Sequence, residues 1–374
     1  GTNTASYHFA NLQVDTSSPA NIPQIQSVTD SVGLLTGAFG SASSTDDTTP
    51  LLVGTLQQKL AAGEFIVLKR SDDGAAETVI SPAEGIYTSN TNWNFTDKSV
   101  QAGHSYTYTA YVSDPVGNLS VASDPFNLSI DTAGPTTTVS ITAVADDQGL
   151  LQGNLANGSS TDDTIPVYSL TLSAALGSGD VLRVYDNGQL IPAAQISGSG
   201  TSYTYTPASA LADGSSHIIT AQVMDAAGNL GSLSAPHTVL IDSVAPATSA
   251  EVSAVQDNIG LIQGNVANGG STDDQNQVLN GTLSAALAAG ETVRLYDGST
   301  YLGNASVSGT DWTYTDTRTL ANASTYSYTA RVMDSAGNLG AAGSAYTGTI
   351  DTSTSSTTVS ITAVADDQGL LQGN

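Results

Sequence analysis

Aspartate-centred motifs recur in this chain in a fixed order. The tetrapeptide STDD stands at Ser44–Asp47, Ser160–Asp163 and Ser271–Asp274. A D-x-x-G-N-L motif starts at Asp114, Asp225 and Asp334, carrying Asn118, Asn229 and Asn338. A lone aspartate closes an apolar stretch at Asp15, Asp131, Asp242 and Asp351. Ahead of each STDD lie Asp30, then Asp146 with Asp147, then Asp257. Carboxylates at such spacing could serve acid–base catalysis or bind a cation. Catalysis needs an accompanying base and a cleft. Here the neighbours are Gly, Ser, Thr and Asn, and none of the histidines His8, His104, His217 and His237 recurs with the motifs. Zincin, nucleophile-elbow, phosphate-loop and dinucleotide glycine patterns are missing. The chain has no cysteine, which removes disulfides, thiolate metal sites and cysteine nucleophiles. What remains is the binding of a hard cation by oxygen.

Composition supports that reading. Among 374 residues, 34 are acidic and 8 basic, for a net charge of −26. Nucleic acid and anionic membrane are excluded as partners, because both need clustered Lys and Arg. Only 11% of residues are charged and 39% are apolar, enough for packed cores. No apolar run reaches the roughly 18 residues of a membrane span.

The motifs mark a repeat. TTVSITAVADDQGLLQGN occupies Thr137–Asn154 and recurs unchanged at Thr357–Asn374, with looser copies at Ile25–Gly37 and Glu251–Asn265. From Asp15 through Asp131 and Asp242 to Asp351 the spacing is 116, 111 and 109 residues. Repeats at such a period are expected to be domains, here 16–131, 132–242 and 243–351. Residues 1–15 match the last strand of a preceding repeat and 352–374 the first strand of a following one. The chain opens on Gly1 without a signal peptide, so the expectation is a segment of a longer array. Orphan strands at both ends would offer unpaired edges to other chains.

Within a repeat the apolar period is two. Tyr106, Tyr108, Ala110 and Val112 share one face, as do Tyr326, Tyr328, Ala330 and Val332. In the second repeat, strands are predicted at 139–144, 167–172, 181–185, 190–196, 202–205, 217–224 and 238–241. Turn residues such as Asp186–Gly188 and Asp213–Gly214 separate them. Seven short strands in about 110 residues predict an all-β, antiparallel sandwich. Trp93, Tyr203 and Trp312 align and are expected in the cores rather than on a sugar-stacking platform. His217 aligns with Tyr106 and Tyr326 and is expected to be a core substitution. Lys69, Arg183 and Arg294 are placed together, facing solvent. Lysine is confined to the first repeat, so an isopeptide cross-link cannot be general. Asn-x-Ser/Thr sequons are expected by chance.

The stretches STDDTTPLLVGTL, VYDNGQLI, ALADGSSHIITAQVMDAAGNLG and IDSVAP resemble the bacterial Ig-like repeats of giant repeats-in-toxin and Bap-type biofilm adhesins. The resemblance covers essentially the whole chain. It implies a tandem array of Ig-like antiparallel β-sandwich domains used as an extender, with calcium bound near the domain junctions.

Sandwich topology places the aspartates independently. The loop between the first two strands lies at the downstream pole of a domain, and the loop between the last two at its upstream pole. End-to-end stacking then gathers Asp30, Asp46, Asp47, Asp131, Asp225 and Asn229 at one junction. It gathers Asp146, Asp147, Asp162, Asp163, Asp242, Asp334 and Asn338 at the next. Asp15, Asp114 and Asn118 form an upstream half, and Asp257, Asp273, Asp274 and Asp351 a downstream half. Like charges ~4 Å apart repel by about 1 kcal/mol even in water. The second repeat offers one arginine, Arg183, and no lysine to offset this. Several Ca²⁺ ions fit, taking 6–8 oxygens with tolerant geometry and binding extracellular modules at about 10⁻⁴–10⁻³ M; Mg²⁺ demands a near-octahedral shell. Asp, Asn and Gly also close turns, and Asp186 and Asp213 are assigned to that role. The expected product is a monomeric, calcium-stiffened elongated rod at a bacterial cell surface, touching only neighbouring repeats and carrying no catalysis. Each sandwich would add roughly 30–40 Å. Rival expectations are repeats that themselves bind sugar or a host protein, and an accessory array of a secreted hydrolase.

Overall fold

A computed structural model describes residues 14–362. The first sandwich has ten strands: β1 (Pro23–Asp30), β2 (Gly37–Phe39), β3 (Ser43–Thr45), β4 (Leu51–Leu56), β5 (Phe65–Asp72), β6 (Thr78–Ile80), β7 (Tyr87–Ser89), β8 (Asn92–Thr96), β9 (Ser105–Ser113) and β10 (Phe126–Ile130). They form two five-stranded sheets, in orders β2-β1-β4-β8-β7 and β3-β10-β9-β5-β6. The same two sheets recur between Val139 and Ile241 and between Ala250 and Ile350. All pairings are antiparallel except β3 with β10 and its equivalents. The chain is thus a tandem of three Ig-like sandwiches.

Alternation explains the layers. On β4 and β9 every second side chain is buried, and those faces meet in one apolar cluster per sandwich. Trp93 and Trp312 lie in these cores, 1% and 3% exposed, so they offer no sugar platform. Each is seated over a glycine on the neighbouring strand: Gly54 pairs with Trp93 and Gly281 with Trp312. The second sandwich places Leu170 against the smaller Tyr203 at the same register.

Three sequence expectations change. The acidic segment after β1 is not a plain loop. It folds back as β2 on β1, and crosses to the other sheet as β3. The strand expected at 190–196 splits into Gln189–Leu190, a 3₁₀ turn at Ala193–Gln195, and Ile196–Ser199 in the opposite sheet. Pro192, which has no N–H for a ladder, stands at the crossing. Lys69 is displaced from Arg183 and Arg294 by two residues. It pairs with Thr109, whereas Arg183 pairs with Gln222 and Arg294 with Arg331. Residues 352–362 form no strand. The strand expected in 1–15 falls, apart from its last two residues, outside the described residues, as does the remainder of 352–374.

Candidate metal centres at the domain junctions

The D-x-x-G-N loop closes on its own aspartate. Asp225 Oδ1 accepts from the N–H groups of Ala227 and Asn229, at 2.9 Å each, and Oδ2 accepts from Asn229 Nδ2 at 3.0 Å. Asp334 repeats this with Ala336 and Asn338, and Asp114 with Val116 and Asn118. Each Asn amide also reaches the preceding domain. Asn229 Nδ2 donates to the Asp131 carbonyl at 2.8 Å, Asn338 Nδ2 to that of Asp242 at 2.7 Å, and Asn118 Nδ2 to that of Asp15 at 3.1 Å. The joint is therefore built from the asparagine of one repeat and the closing aspartate of the one before it.

Glycine shapes the same contact. Gly228 and Gly337 have φ of 96° and 100°, and a Cβ there would stand 3.1 Å and 3.2 Å from the backbone N of Leu35 and Leu151. Ala227 and Ala336 beside them are buried, at 2% and 1% exposure. The closing aspartates are held from behind, since Asp131 N donates to Thr45 O and Asp242 N to Thr161 O.

The downstream pole supplies three kinds of aspartate. Asp30, Asp146 and Asp257 are satisfied turn residues. Thr45, Thr161 and Thr272 hydroxyls donate to their Oδ2, and Val32, Gln148 and Ile259 N–H groups to their Oδ1. Asp47, Asp163 and Asp274 likewise accept from Thr49, Ile165 and Asn276 N–H groups. Asp46, Asp162 and Asp273 differ. Each carboxylate occupies the space beside a glycine in the left-handed region, Gly33, Gly149 or Gly260, where a Cβ would come within 2.1, 1.8 and 2.4 Å of Oδ2. Asp46 Oδ1 and Asp162 Oδ1 are buried with no hydrogen-bond partner.

Electrostatics strain these two groups, and burial raises Asp163 beside them as well. Burial, then the charges of Asp30 and nearby Asp47 and Asp225, raise Asp46 above the usual carboxylate range. Burial, then Asp146, Asp334 and Asp163, do so for Asp162. In each set one contributor, Asp225 or Asp334, belongs to the following sandwich. Burial and Asp334 also raise Asp242. A hollow between the first two sandwiches is lined by Ser43, Ser44, Asp131, Asp180 and Asp225, and another between the second and third by Asp147, Asp162, Asp163, Ser243 and Asn338.

The predicted residues thus converge on two poles but do not act alike. Asp147 is exposed, with its carboxylate taking the Gln148 amide. Asp131, Asp242, Asp351 and Asp15 cap the N–H two residues on. Asp213 accepts from Ser243 N, and Asp186 pairs with His217 at 2.6 Å. Among the described residues, the one set of three carboxylate or imidazole ligand atoms within 4.8 Å of one another is Asp72, Asp73 and His104, none of them among the predicted junction residues. Two further acids escaped the sequence reading. Asp97 and Asp316 are each 1% exposed and neutralised by Arg70 and Arg318. The second repeat has Pro207 at that place, so a search for recurrence passes over it.

A model of the bacterial Ig-like domain matches residues 136–243, the second sandwich. No curated protein matches the chain. Among solved structures, a crystal structure of the chicken CNTN1 FN1–FN3 domains is 9% identical over 88% of this chain and 99% of that chain, with a TM-score of 0.29.

Proposed function

We propose that this chain is a non-catalytic extender segment of a bacterial cell-surface adhesin of the repeats-in-toxin or Bap type, stiffened by Ca²⁺ at its junctions. In this reading it projects a distal binding domain away from the cell for adhesion and biofilm growth. The observation that carries it is the repeated joint beside a carboxylate with an orphaned buried oxygen. An unpaired buried charge is costly, and a hard divalent cation that takes carboxylate and carbonyl oxygens removes that cost. The residues that would hold it are Asp46, Asp131, Asp225 and Asn229 at one junction and Asp162, Asp242, Asp334 and Asn338 at the other. The fitting donors are all oxygens, which suits Ca²⁺ and disfavours soft ions. Binding to the docked arrangement alone would stabilise it by RT ln(1 + [L]/Kd), about 2.7 kcal/mol at 100 Kd.

Small-angle scattering in EDTA and then in several millimolar CaCl₂, with melts alongside, tests this. Calcium should lengthen the maximum dimension, narrow its spread and raise the melting temperature. Identical profiles and melts would remove the calcium mechanism.

Asp162→Asn gives a test of opposite signs. A carboxyl whose folded pKa is raised loses stability as pH climbs from the ordinary value of 3.8 through the folded one. Without metal at pH 7, removing that charge should therefore raise the melting temperature. With calcium, the same variant should lose most of the calcium-induced rise. A variant that melts lower than wild type in EDTA would contradict the assignment of Asp162 as an uncompensated acid.

A further inference from the structure

The first sandwich carries an Asp–Asp–His set that neither of the other two repeats in full, the second keeping only the Asp186–His217 pair. Its β5 ends in Asp72, the following turn places Asp73, and His104 precedes β9. His104 Nδ1 stands 2.9 Å from Asp72 Oδ1 and 2.9 Å from Asp73 Oδ2. We propose that Asp72, Asp73 and His104 form a second class of metal site, selective for a borderline divalent transition ion such as Zn²⁺.

The frame around the three ligands is fixed. Asp72 pairs with Tyr106 in the β5–β9 ladder. Asp73 N donates to Ser105 O at 2.8 Å, and Asp73 Oδ1 accepts from Ser105 N at 2.8 Å, which leaves Oδ2 turned to the imidazole. His104 is anchored by its carbonyl, which accepts from Ile130 N at 2.9 Å. Ligands oriented by such outer hydrogen bonds need little reorganisation on binding.

One imidazole nitrogen has a single position for a proton, yet here it faces two carboxylate oxygens. A bifurcated hydrogen bond can satisfy that geometry, and so can one cation shared by all three atoms. Tetrahedral Zn²⁺, with bonds of about 2.0–2.2 Å, sets neighbouring ligand atoms about 3.4 Å apart. The observed spacing is about half an ångström tighter, a shift that the partly exposed side chains can make. Two carboxylates and a neutral imidazole cancel the ion's charge, and water completes the shell. Imidazole nitrogen argues for Zn²⁺ over Ca²⁺, in contrast to the all-oxygen junctions. The other repeats have Asn187 and Gly298 at the turn and Ser215 and Ser324 at the histidine position, so the site belongs to the first repeat alone.

Through His104, a bound ion would tie the β5–β6 turn to the loop that holds the end of β10, next to the closing Asp131. The test is calorimetric titration of the whole chain with ZnCl₂, the junctions being presaturated with CaCl₂. One Zn²⁺ per chain is expected in wild type. His104→Ser and Asp73→Asn, which install residues found at those places in the second repeat, should each weaken binding by more than about tenfold. Co²⁺ in place of Zn²⁺ should show a ligand-field band that His104→Ser abolishes. Calcium-dependent melting should be the same in all three proteins, which separates this site from the junctions. No Zn²⁺ uptake by wild type at millimolar ion, or equal affinity in His104→Ser, would overturn the proposal.

Discussion

Replacing Arg70 with methionine is expected to unfold the first sandwich well below the temperature at which the other two melt. Arg70 Nη1 meets Asp97 Oδ2 at 2.6 Å, and Asp97 is 1% exposed. Tyr108 OH donates to the same oxygen at 2.9 Å, and the Ser99 N–H and hydroxyl hold Oδ1. Burial alone would push Asp97 up, but Ser99, Arg70 and Tyr108 outweigh it and hold the carboxyl below its usual range. Breaking a buried pair by removing one partner costs about 3–5 kcal/mol. For a domain of about 100 residues that is a fall of at least about 12 °C. The pH dependence reverses with the arginine. In wild type the folded pKa is depressed, so the pair's contribution is complete above the ordinary value of 3.8 and fades as pH falls through the folded one. In Arg70→Met the carboxyl is buried with less compensation, so the penalty is greatest at neutral pH and shrinks below about pH 4. Hydrogen exchange on peptides from β8 and β9 reads the first sandwich separately. Arg70→Met/Asp97→Asn should recover much of the loss. A single variant within about 1 kcal/mol of wild type would show that the Tyr108 and Ser99 hydrogen bonds suffice without the cation.

The third sandwich supports that account by a different route. Asp316 is again 1% exposed and again takes a tyrosine hydroxyl, from Tyr328. Its cation, Arg318, comes from the loop after the Asp311–Thr315 strand and also reaches Asp297. The second sandwich has Pro207 for the acid, Ile219 for the tyrosine and no arginine at the position of Arg70 or of Arg318, its one arginine, Arg183, pairing with Gln222 instead. Acid, base and hydroxyl are present together or absent together, as expected where a lone buried charge is costly.

This network also marks the limit of sequence reading. Period-two burial fixes a strand such as Val167–Leu172 to the residue, because one buried face leaves no freedom of register. Arg70 and Arg318 occupy different columns of the repeat, so no recurring basic position advertises the pair. The junction aspartates were legible as a set, since recurrence and topology bring them to the poles. Their individual roles were not. Asp46 and Asp47 are adjacent and identical in type. Yet Asp47 is consumed by Ser31 and Thr49, whereas Asp46 turns under Gly33 and keeps an oxygen unpaired. That distinction depends on the left-handed turn at Gly33 (φ 68°) and on the fold-back to β2, neither of which alternation encodes.

Gly281→Leu should be as damaging to the third sandwich, through shape rather than charge. A Cβ at Gly281 would lie 2.0 Å from Trp312 Cζ2 and 2.2 Å from the Glu251 carbonyl. The indole therefore fills the volume that a side chain would need, and the strand cannot back away without parting from its neighbour. Overpacking a dense core costs about 1–3 kcal/mol and more where the backbone is the obstacle. Trp312→Tyr alone errs the other way, leaving a void under a smaller ring at a cost of about 2–3 kcal/mol. The second sandwich shows that the same register accepts the exchanged pair, Leu170 with Tyr203. Gly281→Leu/Trp312→Tyr should accordingly be more stable than the sum of its parts, with a coupling of about 1–3 kcal/mol. Full recovery is not expected, because the Glu251 carbonyl remains in the way. The two singles and the double, followed by denaturant unfolding of the third sandwich, complete the cycle. Additive losses would mean that glycine is required there for the approach of the Glu251 strand and not for the indole.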